Sequence, residues 1–256
     1  MKKTHFTTTA LILAFLLSSA ITIAQSTETR NLTGFSEVSF GVPGNLNIRI
    51  GSEFKVTLEG DKDFIAEIIT NVSNGKLTIR TEGRWKPKFN NKKVIVNITM
   101  PAISGLSISG SGTAEVFDSF KTGSLSLAVS GSGRLILNDV SSEALNCSIS
   151  GSGNIIINNA SGKELRCSVS GSGNITLKGN DSFSTADISM SGSGKYNGES
   201  LKIETAKIRV AGSGNCNCHV TQSLEASVTG SGKITYVGNP TKIDTRTTGS
   251  GKISSK

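Results

Sequence analysis

Aromatic side chains and histidine are scarce in this 256-residue sequence, and their scarcity excludes several functions. The chain has one Trp, two Tyr and two His, and aromatic residues make up 5% of it. Although the formal net charge is +8, so few rings give no platform for base stacking, and we expect no nucleic-acid partner. Because His219 is the only histidine after His5, we expect neither a histidine-assisted nucleophile nor a cofactor.

Long apolar runs are absent after the first 24 residues, so we expect no transmembrane segment in the mature chain. The apolar run Ala10 to Leu17 follows Lys2 and Lys3 and precedes small residues that end at Ala24, which is typical of a secretory signal peptide over residues 1–24. Its removal leaves a formal charge of +6. We therefore expect an exported protein, in the periplasm, at the cell surface or secreted, with a mild attraction to anionic cell-surface polymers.

What the sequence does contain is Gly-Ser-Gly, eight times, at steps of 18 to 21 residues. A fixed period near 20 residues is typical of a solenoid, in which each repeat buries its apolar face by stacking on its neighbours. Glycine permits the positive φ of a sharp reversal and lets neighbouring turns stack closely. The predicted turn glycines are Gly110, Gly112, Gly131, Gly133, Gly151, Gly153, Gly171, Gly173, Gly192, Gly194, Gly212, Gly214, Gly230, Gly232, Gly249 and Gly251.

Apolar residues alternate with polar ones on both sides of each Gly-Ser-Gly, which predicts two strands per repeat. Stacked in register, these repeats give an all-β, right-handed parallel β-helix with two sheets over residues 101–256. Eight coils at about 4.8 Å each span roughly 38 Å. In the last coil the inward positions become Thr245 and Thr247, so we expect a solvated C-terminal end.

Residues 25–100 are predicted to form a β-rich cap on the other end of the solenoid. Residues 25–34 are polar and are expected to lack regular structure. The alternation from Phe35 to Glu59 predicts three strands, and Asn74-Gly75 predicts a tight turn before a strand over 76–80. A surface loop over 82–93, which contains Trp85 and Phe89, is expected before a strand over 94–100.

One short helix is predicted within this cap. Asp61 is a suitable N-cap, and the apolar residues that follow have the spacing of one helix face. Those residues are Phe64, Ile65, Ile68 and Ile69.

Ligand-binding interpretations of the Gly-rich turns are disfavoured. A calcium ladder needs an acidic residue after the glycines, and a phosphate loop needs a strand-loop-helix context. No acidic residue follows the motif, where the sequence has Thr113, Arg134, Asn154, Asn174, Lys195, Asn215, Lys233 and Lys252.

Two groups of residues leave a choice open. Asp118 and Asp139 fall at equivalent places of adjacent coils, which is compatible with a glycosidase pair or a cation site and also with plain turn residues. Cys147 and Cys167 fall on one inward column, where a disulfide and buried thiols are both compatible with the spacing. Cys216, Cys218 and His219 resemble a metal motif, but the cysteines replace core residues and a fourth ligand is lacking, so no metal site is predicted.

The outward positions before each turn are rich in serine, which predicts a flat, hydroxyl-lined face. Such a face is suited to binding sugar hydroxyls or another copy of itself. Ice binding fits less well, since it would require regular Thr pairs and no Arg. Small polar residues also serve simply to keep a regular sheet soluble. The candidate binding residues are Ser148, Ser150, Ser168, Ser170, Ser189, Ser191 and, in the N-terminal loop, Trp85.

These features together resemble the head GIN domain family. The resemblance rests on the signal peptide, Phe35 to Val38, Gly75 to Ile79, the eight turns after Pro101, and Tyr236-Val237-Gly238-Asn239-Pro240. It covers the whole predicted mature chain. It implies a right-handed, pectin-lyase-like β-helix of exported proteins of the Bacteroidetes type, without catalytic residues and with adhesion as the suggested role. No heptads of a coiled-coil stalk are visible, so a periplasmic or secreted binding module fits as well as surface display.

The sequence therefore predicts a non-catalytic β-helix that acts through its surface in adhesion or cell-envelope binding, with glycans or cell-surface polymers as partners. Two alternatives stay open. One is a carbohydrate-active enzyme of β-helix type, and the other is a structural envelope protein that self-associates as a homo-oligomer.

Overall fold

The computed structural model describes residues 26–83 and 89–256, so the predicted signal peptide and Trp85 lie outside the described residues. One short helix, α1, spans Lys62–Ala66. In chain order the strands are β1 Ser26–Arg30, β2 Glu37–Phe40, β3 Gly44–Ile50, β4 Lys55–Gly60, β5 Ile68–Ser73, β6 Lys76–Thr81, β7 Val94–Met100, β8 Gly105–Gly110, β9 Thr113–Val116, β10 Phe120–Gly131, β11 Arg134–Gly151, β12 Asn154–Gly171, β13 Asn174–Leu177, β14 Ser182–Gly192, β15 Lys195–Gly212, β16 Asn215–Gly230, β17 Lys233–Val237, β18 Lys242–Thr248 and β19 Lys252–Ser255.

Each Gly-Ser-Gly coil contributes one strand segment to each of two parallel layers. We call the layer formed by residues before the turn the pre-turn sheet, and the layer formed by residues after it the post-turn sheet. Neighbouring coils pair residue by residue, as in Val129 with Ile149 before the turn and Leu135 with Ile155 after it. This arrangement is the predicted all-β solenoid with coils of about 20 residues.

The turns stack into a continuous ridge, and the stacking explains why glycine recurs there. The first glycines of the eight motifs have φ between 103° and 119°, a region that favours glycine. A Cβ on Gly151 would lie 2.6 Å from the carbonyl oxygen of Gly131 in the preceding coil. That carbonyl accepts a hydrogen bond of 2.8 Å from the amide of Ser152. The ridge is therefore a ladder of backbone hydrogen bonds, and the stacked glycines such as Gly151 have no room for a side chain.

Two further coils precede the first Gly-Ser-Gly coil, and they come from the N-terminal part of the chain. Strands β2 and β3 pair in parallel with β8 and β9, and β6 and β7 pair in parallel with the other edges of β2 and β3. Phe40 lies opposite Ile108 and Asn45 opposite Thr113. Val42-Pro43-Gly44 therefore forms the turn of this coil that corresponds to the first Gly-Ser-Gly in the next coil. The N-terminal part thus stacks on the repeats, whereas a domain boundary at residue 100 stays a prediction.

Antiparallel strands close the N-terminal end. Strand β4 pairs with β7, β1 pairs with β4, and β5 pairs with β6. The expectation that residues 25–34 lack regular structure is therefore wrong for Ser26–Arg30, because that backbone satisfies its hydrogen bonds on the edge of β4, and it is confirmed for residues 31–34.

The predicted helix is present but shorter than its apolar spacing indicated. Asp61 caps it by accepting a hydrogen bond of 3.1 Å from the amide of Phe64. Ile68 and Ile69 belong instead to β5, since the edge of β6 offers them a strand partner. Phe89 also departs from the prediction of a surface loop, because its side chain is buried. The centroid of its ring lies 5.4 Å from that of Phe64.

The apolar residues of both sheets meet in one core along the solenoid, and its C-terminal end is open as predicted. Residues 241–250 are all exposed, and Ile243 is 49% exposed, the largest exposure of a large apolar side chain in the described ranges. Polar and charged side chains of β18 surround it. The described part of the chain has no helix with the length and apolar character of a membrane span.

Candidate binding surfaces

The six predicted serines lie together on the outer surface of the pre-turn sheet, and we call them the serine face. They form two columns across three consecutive coils, and all six side chains are exposed. Neighbouring columns and coils are about 6.6 Å and 4.8 Å apart. The columns are Ser148, Ser168 and Ser189, and Ser150, Ser170 and Ser191.

The hydroxyls of the serine face have no hydrogen-bond partner among the residues that the structure describes. Some serines elsewhere in the described residues do have partners. Ser142, for example, donates a hydrogen bond of 2.9 Å to the carbonyl of Ala144, and Ser36 bonds to Ser104 at 2.8 Å. The serine face therefore presents donors and acceptors that only solvent or a partner satisfies.

A shallow depression of about 300 Å³ lies at the edge of the serine face. Asn146, Arg166 and Asp187 stand beside Ser148 and Ser168 in its lining. Amide, guanidinium and carboxylate groups next to ordered hydroxyls are the polar groups that commonly fix the orientation of a ligand.

The charged residues bordering the serine face neutralise one another. Asp187 accepts a hydrogen bond of 3.0 Å from Arg209, and Glu225 pairs with Lys207. The hydrogen bond from Lys207, aided by the charges of Lys207, Arg209 and Arg246, lowers the pKa of Glu225 below its ordinary value. The Glu225 carboxylate is therefore held as an anion.

The two aspartates considered as a glycosidase pair are occupied by structural contacts. Asp118 accepts hydrogen bonds of 2.9 Å from both the Arg49 guanidinium and the Ile50 amide. Asp139 accepts from the side chains of Ser119 and Asn159 at 3.2 and 3.0 Å. The two aspartates lie where the pairing between coils is irregular, since Leu137 is opposite Val116 but Val140 is opposite Phe120, so their equivalence stays a prediction.

The direction of the Asp118 pKa also disagrees with a role as general acid. The hydrogen bond from the Ile50 amide, followed by that from Arg49, lowers the pKa of Asp118. A general acid in a glycosidase needs a raised pKa.

All four cysteines are buried thiols in this structure. Cys147 and Cys167 lie directly opposite each other on neighbouring coils, and burial raises the pKa of Cys167 well above its ordinary value. The disulfide between them stays a prediction. Cys216 and Cys218 fill core positions of the post-turn sheet, as the sequence predicted.

His219 does not join the cysteines in a metal site. It follows Cys218 in a strand, so its side chain points to the opposite face, and it is half-buried there. No group of three or more His, Cys, Asp or Glu residues within residues 26–83 and 89–256 is arranged to hold a metal ion.

One buried polar group, the hydroxyl of Tyr196, could not be anticipated from the sequence. The residue is completely buried at the inward position that Cys216 takes one coil later, and its hydroxyl has no hydrogen-bond partner among the described residues. Burial, followed by the neighbouring thiols of Cys167, Cys216, Cys218 and Cys147, raises its pKa well above its ordinary value.

A protein-family model described as "Putative auto-transporter adhesin, head GIN domain" matches residues 34–240. The chain belongs to this family. The resemblance inferred from the turns and the N-terminal pattern is thereby confirmed. The family takes its description from adhesion and not from an enzymatic reaction.

Solved structures from two Parabacteroides species share the fold of this head GIN domain protein. A "putative lipid binding protein" from Parabacteroides distasonis is 24% identical, with a TM-score of 0.83 over 91% of this chain and 96% of that one. A "putative adhesin" from Parabacteroides merdae is 22% identical, with a TM-score of 0.84 over 91% and 96%. No curated protein matches the sequence significantly.

Proposed function

We propose that this head GIN domain protein is a non-catalytic, exported binding protein of the cell envelope or cell surface, and that its serine face binds glycans or similar cell-surface polymers. The observation that carries the proposal is the serine face itself, a regular grid of exposed hydroxyls without hydrogen-bond partners among the described residues. Rigid, in-register spacing limits the entropy that binding would cost, because the side chains are short and the backbone is already ordered.

The electrostatics of the described residues support binding over catalysis. Asp118 and Asp139 serve contacts between neighbouring coils, and the carboxylates beside the serine face are paired with cations. The adhesin descriptions of the family and of one solved structure agree with this proposal.

A glycan screen with the chain from Gln25 onward tests the proposal. The double substitution Ser148→Glu/Ser168→Glu places two charged side chains in the grid, and we expect it to weaken binding to the best glycan at least about tenfold, since it displaces contacts at the centre of the interface. The matched control is Ser152→Glu/Ser172→Glu, which adds the same charge on the exposed turn ridge.

Three outcomes would contradict the proposal. One is an equal loss of binding in the ridge control, and another is the absence of binding to any glycan. The third is bond cleavage that Asp139→Ala abolishes, which would instead favour the enzyme.

Self-association through the serine face is a second candidate, because a regular grid of hydroxyls is complementary to itself. Sedimentation across a concentration series tests it. A dimer of the parent chain that Ser148→Glu/Ser168→Glu dissociates would favour this candidate, and a strict monomer would exclude it.

A further inference from the structure

The post-turn sheet carries a column of cations and amides along the solenoid, immediately after the turn ridge. The register joins these residues across seven consecutive coils, and all point outward. Six strand spacings of about 4.8 Å give the column a length of roughly 29 Å. We call this column the basic strip, and its members are Arg134, Asn154, Asn174, Lys195, Asn215, Lys233 and Lys252.

The four cations of the basic strip are exposed and have no ion-pair partner in the described part of the chain. Lys178, two columns away on the same face, is likewise exposed and without an ion pair there. The pre-turn sheet differs, because its carboxylates are paired with its cations: Glu164 with Arg166, Asp187 with Arg209, Glu225 with Lys207 and Asp244 with Arg246. Exposed lysines without an ion pair in the described residues also lie outside the post-turn sheet, for example Lys242 on β18, but the basic strip places four such cations in one column.

Asparagines fill the gap between the first two cations of the strip. The Nδ2 of Asn174 donates a hydrogen bond of 3.0 Å to the Oδ1 of Asn154. This bond fixes the orientation of both amides and leaves the Nδ2 of Asn154 to donate to a bound oxygen. The strip thus combines four cations with amide hydrogen-bond donors, two of which are fixed in orientation.

We propose that the basic strip binds a linear acidic polysaccharide, laid along the solenoid axis with its carboxylates or sulfates on the cations. A single column of charges parallel to the axis is complementary to an extended polyanion. This surface is separate from the serine face, so the proposal holds or fails independently of the function proposed above.

The surroundings of the strip favour a polysaccharide over other polyanions. The adjacent outward column contains the half-buried Ile136 and Ile156 but no aromatic ring, so base stacking with nucleic acid has no platform. Insertion into an anionic membrane needs exposed large apolar groups, and in the described ranges such a group is found only at Ile243, on the pre-turn sheet.

Binding of polygalacturonate, a linear polymer of uronic acid, tests the proposal by calorimetry on the chain from Gln25 onward. We expect affinity that falls as salt rises, because charge contacts between exposed groups are screened. The triple substitution Lys195→Gln/Lys233→Gln/Lys252→Gln is expected to weaken binding about tenfold or more. Circular dichroism of the variant checks that its fold is intact.

The matched control is Lys121→Gln/Lys202→Gln/Lys242→Gln, which removes the same net charge from exposed lysines off the strip. We expect it to retain nearly the parent affinity. An equal loss in the control would overturn the proposal, since the attraction would then follow net charge alone. Equal binding of uncharged dextran, or tighter binding to vesicles of phosphatidylglycerol than to the polymer, would overturn it as well.

The same experiment separates this proposal from that for the serine face. Retention of polygalacturonate binding in Ser148→Glu/Ser168→Glu, together with its loss in the lysine variant, supports the basic strip even if no neutral glycan is bound.

Discussion

Asp118 and Arg49 form an ion pair of 2.9 Å between residues 69 positions apart in the chain. Asp118 ends the first Gly-Ser-Gly coil, and Arg49 lies on β3, in the coil beneath. The second carboxylate oxygen accepts from the Ile50 amide, and the Arg49 guanidinium lies 4.6 Å from the Phe117 ring centroid. One side chain thus joins the N-terminal coils to the repeats.

We expect Asp118→Asn to lower the free energy of unfolding by about 0.5–1 kcal/mol at pH 7, because a partly exposed ion pair contributes little more. The control is Asp181→Asn, at an exposed aspartate with no ion pair in the described part of the chain. Urea unfolding measures both. An equal effect at the two positions would show that the pair with Arg49 does not stabilise the junction.

The contribution of Asp118 should also depend on pH. Its pKa is lower in the folded chain than in the unfolded chain, so its stabilisation is complete above the unfolded value of about 3.9 and is lost as pH falls through the folded value. We therefore expect the difference between the parent and Asp118→Asn to shrink below about pH 4. A difference that stayed constant down to pH 2 would contradict this.

The turn glycines differ in how much an added methyl group should cost. Gly151→Ala combines a φ of 119° with a contact of 2.6 Å to the Gly131 carbonyl, whereas Gly110→Ala has a φ of 103° and nothing within 4 Å. We expect losses of about 1–2 kcal/mol for Gly110→Ala, from the backbone conformation alone, and about 1–3 kcal/mol more for Gly151→Ala.

Gly123→Ala provides the control for this series, since it has neither a positive φ nor a neighbour within 4 Å. Its effect should stay within about 0.5 kcal/mol. The order of the urea midpoints is the measurement. Equal midpoints for Gly110→Ala and Gly151→Ala would mean that stacked ridges yield easily to a methyl group.

Removal of the Tyr196 hydroxyl should stabilise the protein. Because this buried group has no hydrogen-bond partner among the described residues, Tyr196→Phe relieves a desolvation cost and is expected to add about 1 kcal/mol. Tyr236→Phe, at a half-buried tyrosine on the same sheet, is the control and should change little. A loss of stability in Tyr196→Phe would reveal a partner for the hydroxyl.

The buried thiols should resist alkylation while the protein is folded. Burial limits the access of the reagent to all four thiols, and a raised pKa lowers the fraction of reactive thiolate at Cys167 and Cys216. We expect no incorporation of iodoacetamide at pH 8 in reduced, folded protein and four additions after unfolding in urea. Mass spectrometry counts the additions. In protein isolated without reductant, two additions in urea and a linked Cys147 and Cys167 peptide would establish the disulfide that the sequence left open.

Much of the solenoid follows from local patterns. Alternation of apolar residues on both sides of Gly-Ser-Gly predicts the two strands of each coil, and the fixed period predicts their stacking in register. The short helix after Asp61 was found for the same reason, since its N-cap acts within three residues. Its extension to Ile68 and Ile69 was wrong because these residues pair with Thr81 and Arg80 of β6, and a local apolar spacing does not reveal a partner that far along the chain.

The binding surfaces could be predicted only in part. The serine face was visible as columns of the repeat, because residues 20 positions apart become neighbours. The separate contacts of Asp118 and Asp139 could not be read from the period, since Asp118 bonds to Arg49 while Asp139 accepts a hydrogen bond from Ser119.

By itself the sequence determined the coil, because a residue type that tolerates a positive φ recurs at a fixed spacing between apolar runs of period two. Only the tertiary structure decided the order in which the first coils stack, with β2 and β3 inserted between β6–β7 and β8–β9. It also decided which cations are paired with carboxylates, as Arg209 is with Asp187, and which, like those of the basic strip, have no ion-pair partner among the described residues. Both depend on contacts between residues far apart in the chain, which no local pattern of side chains encodes.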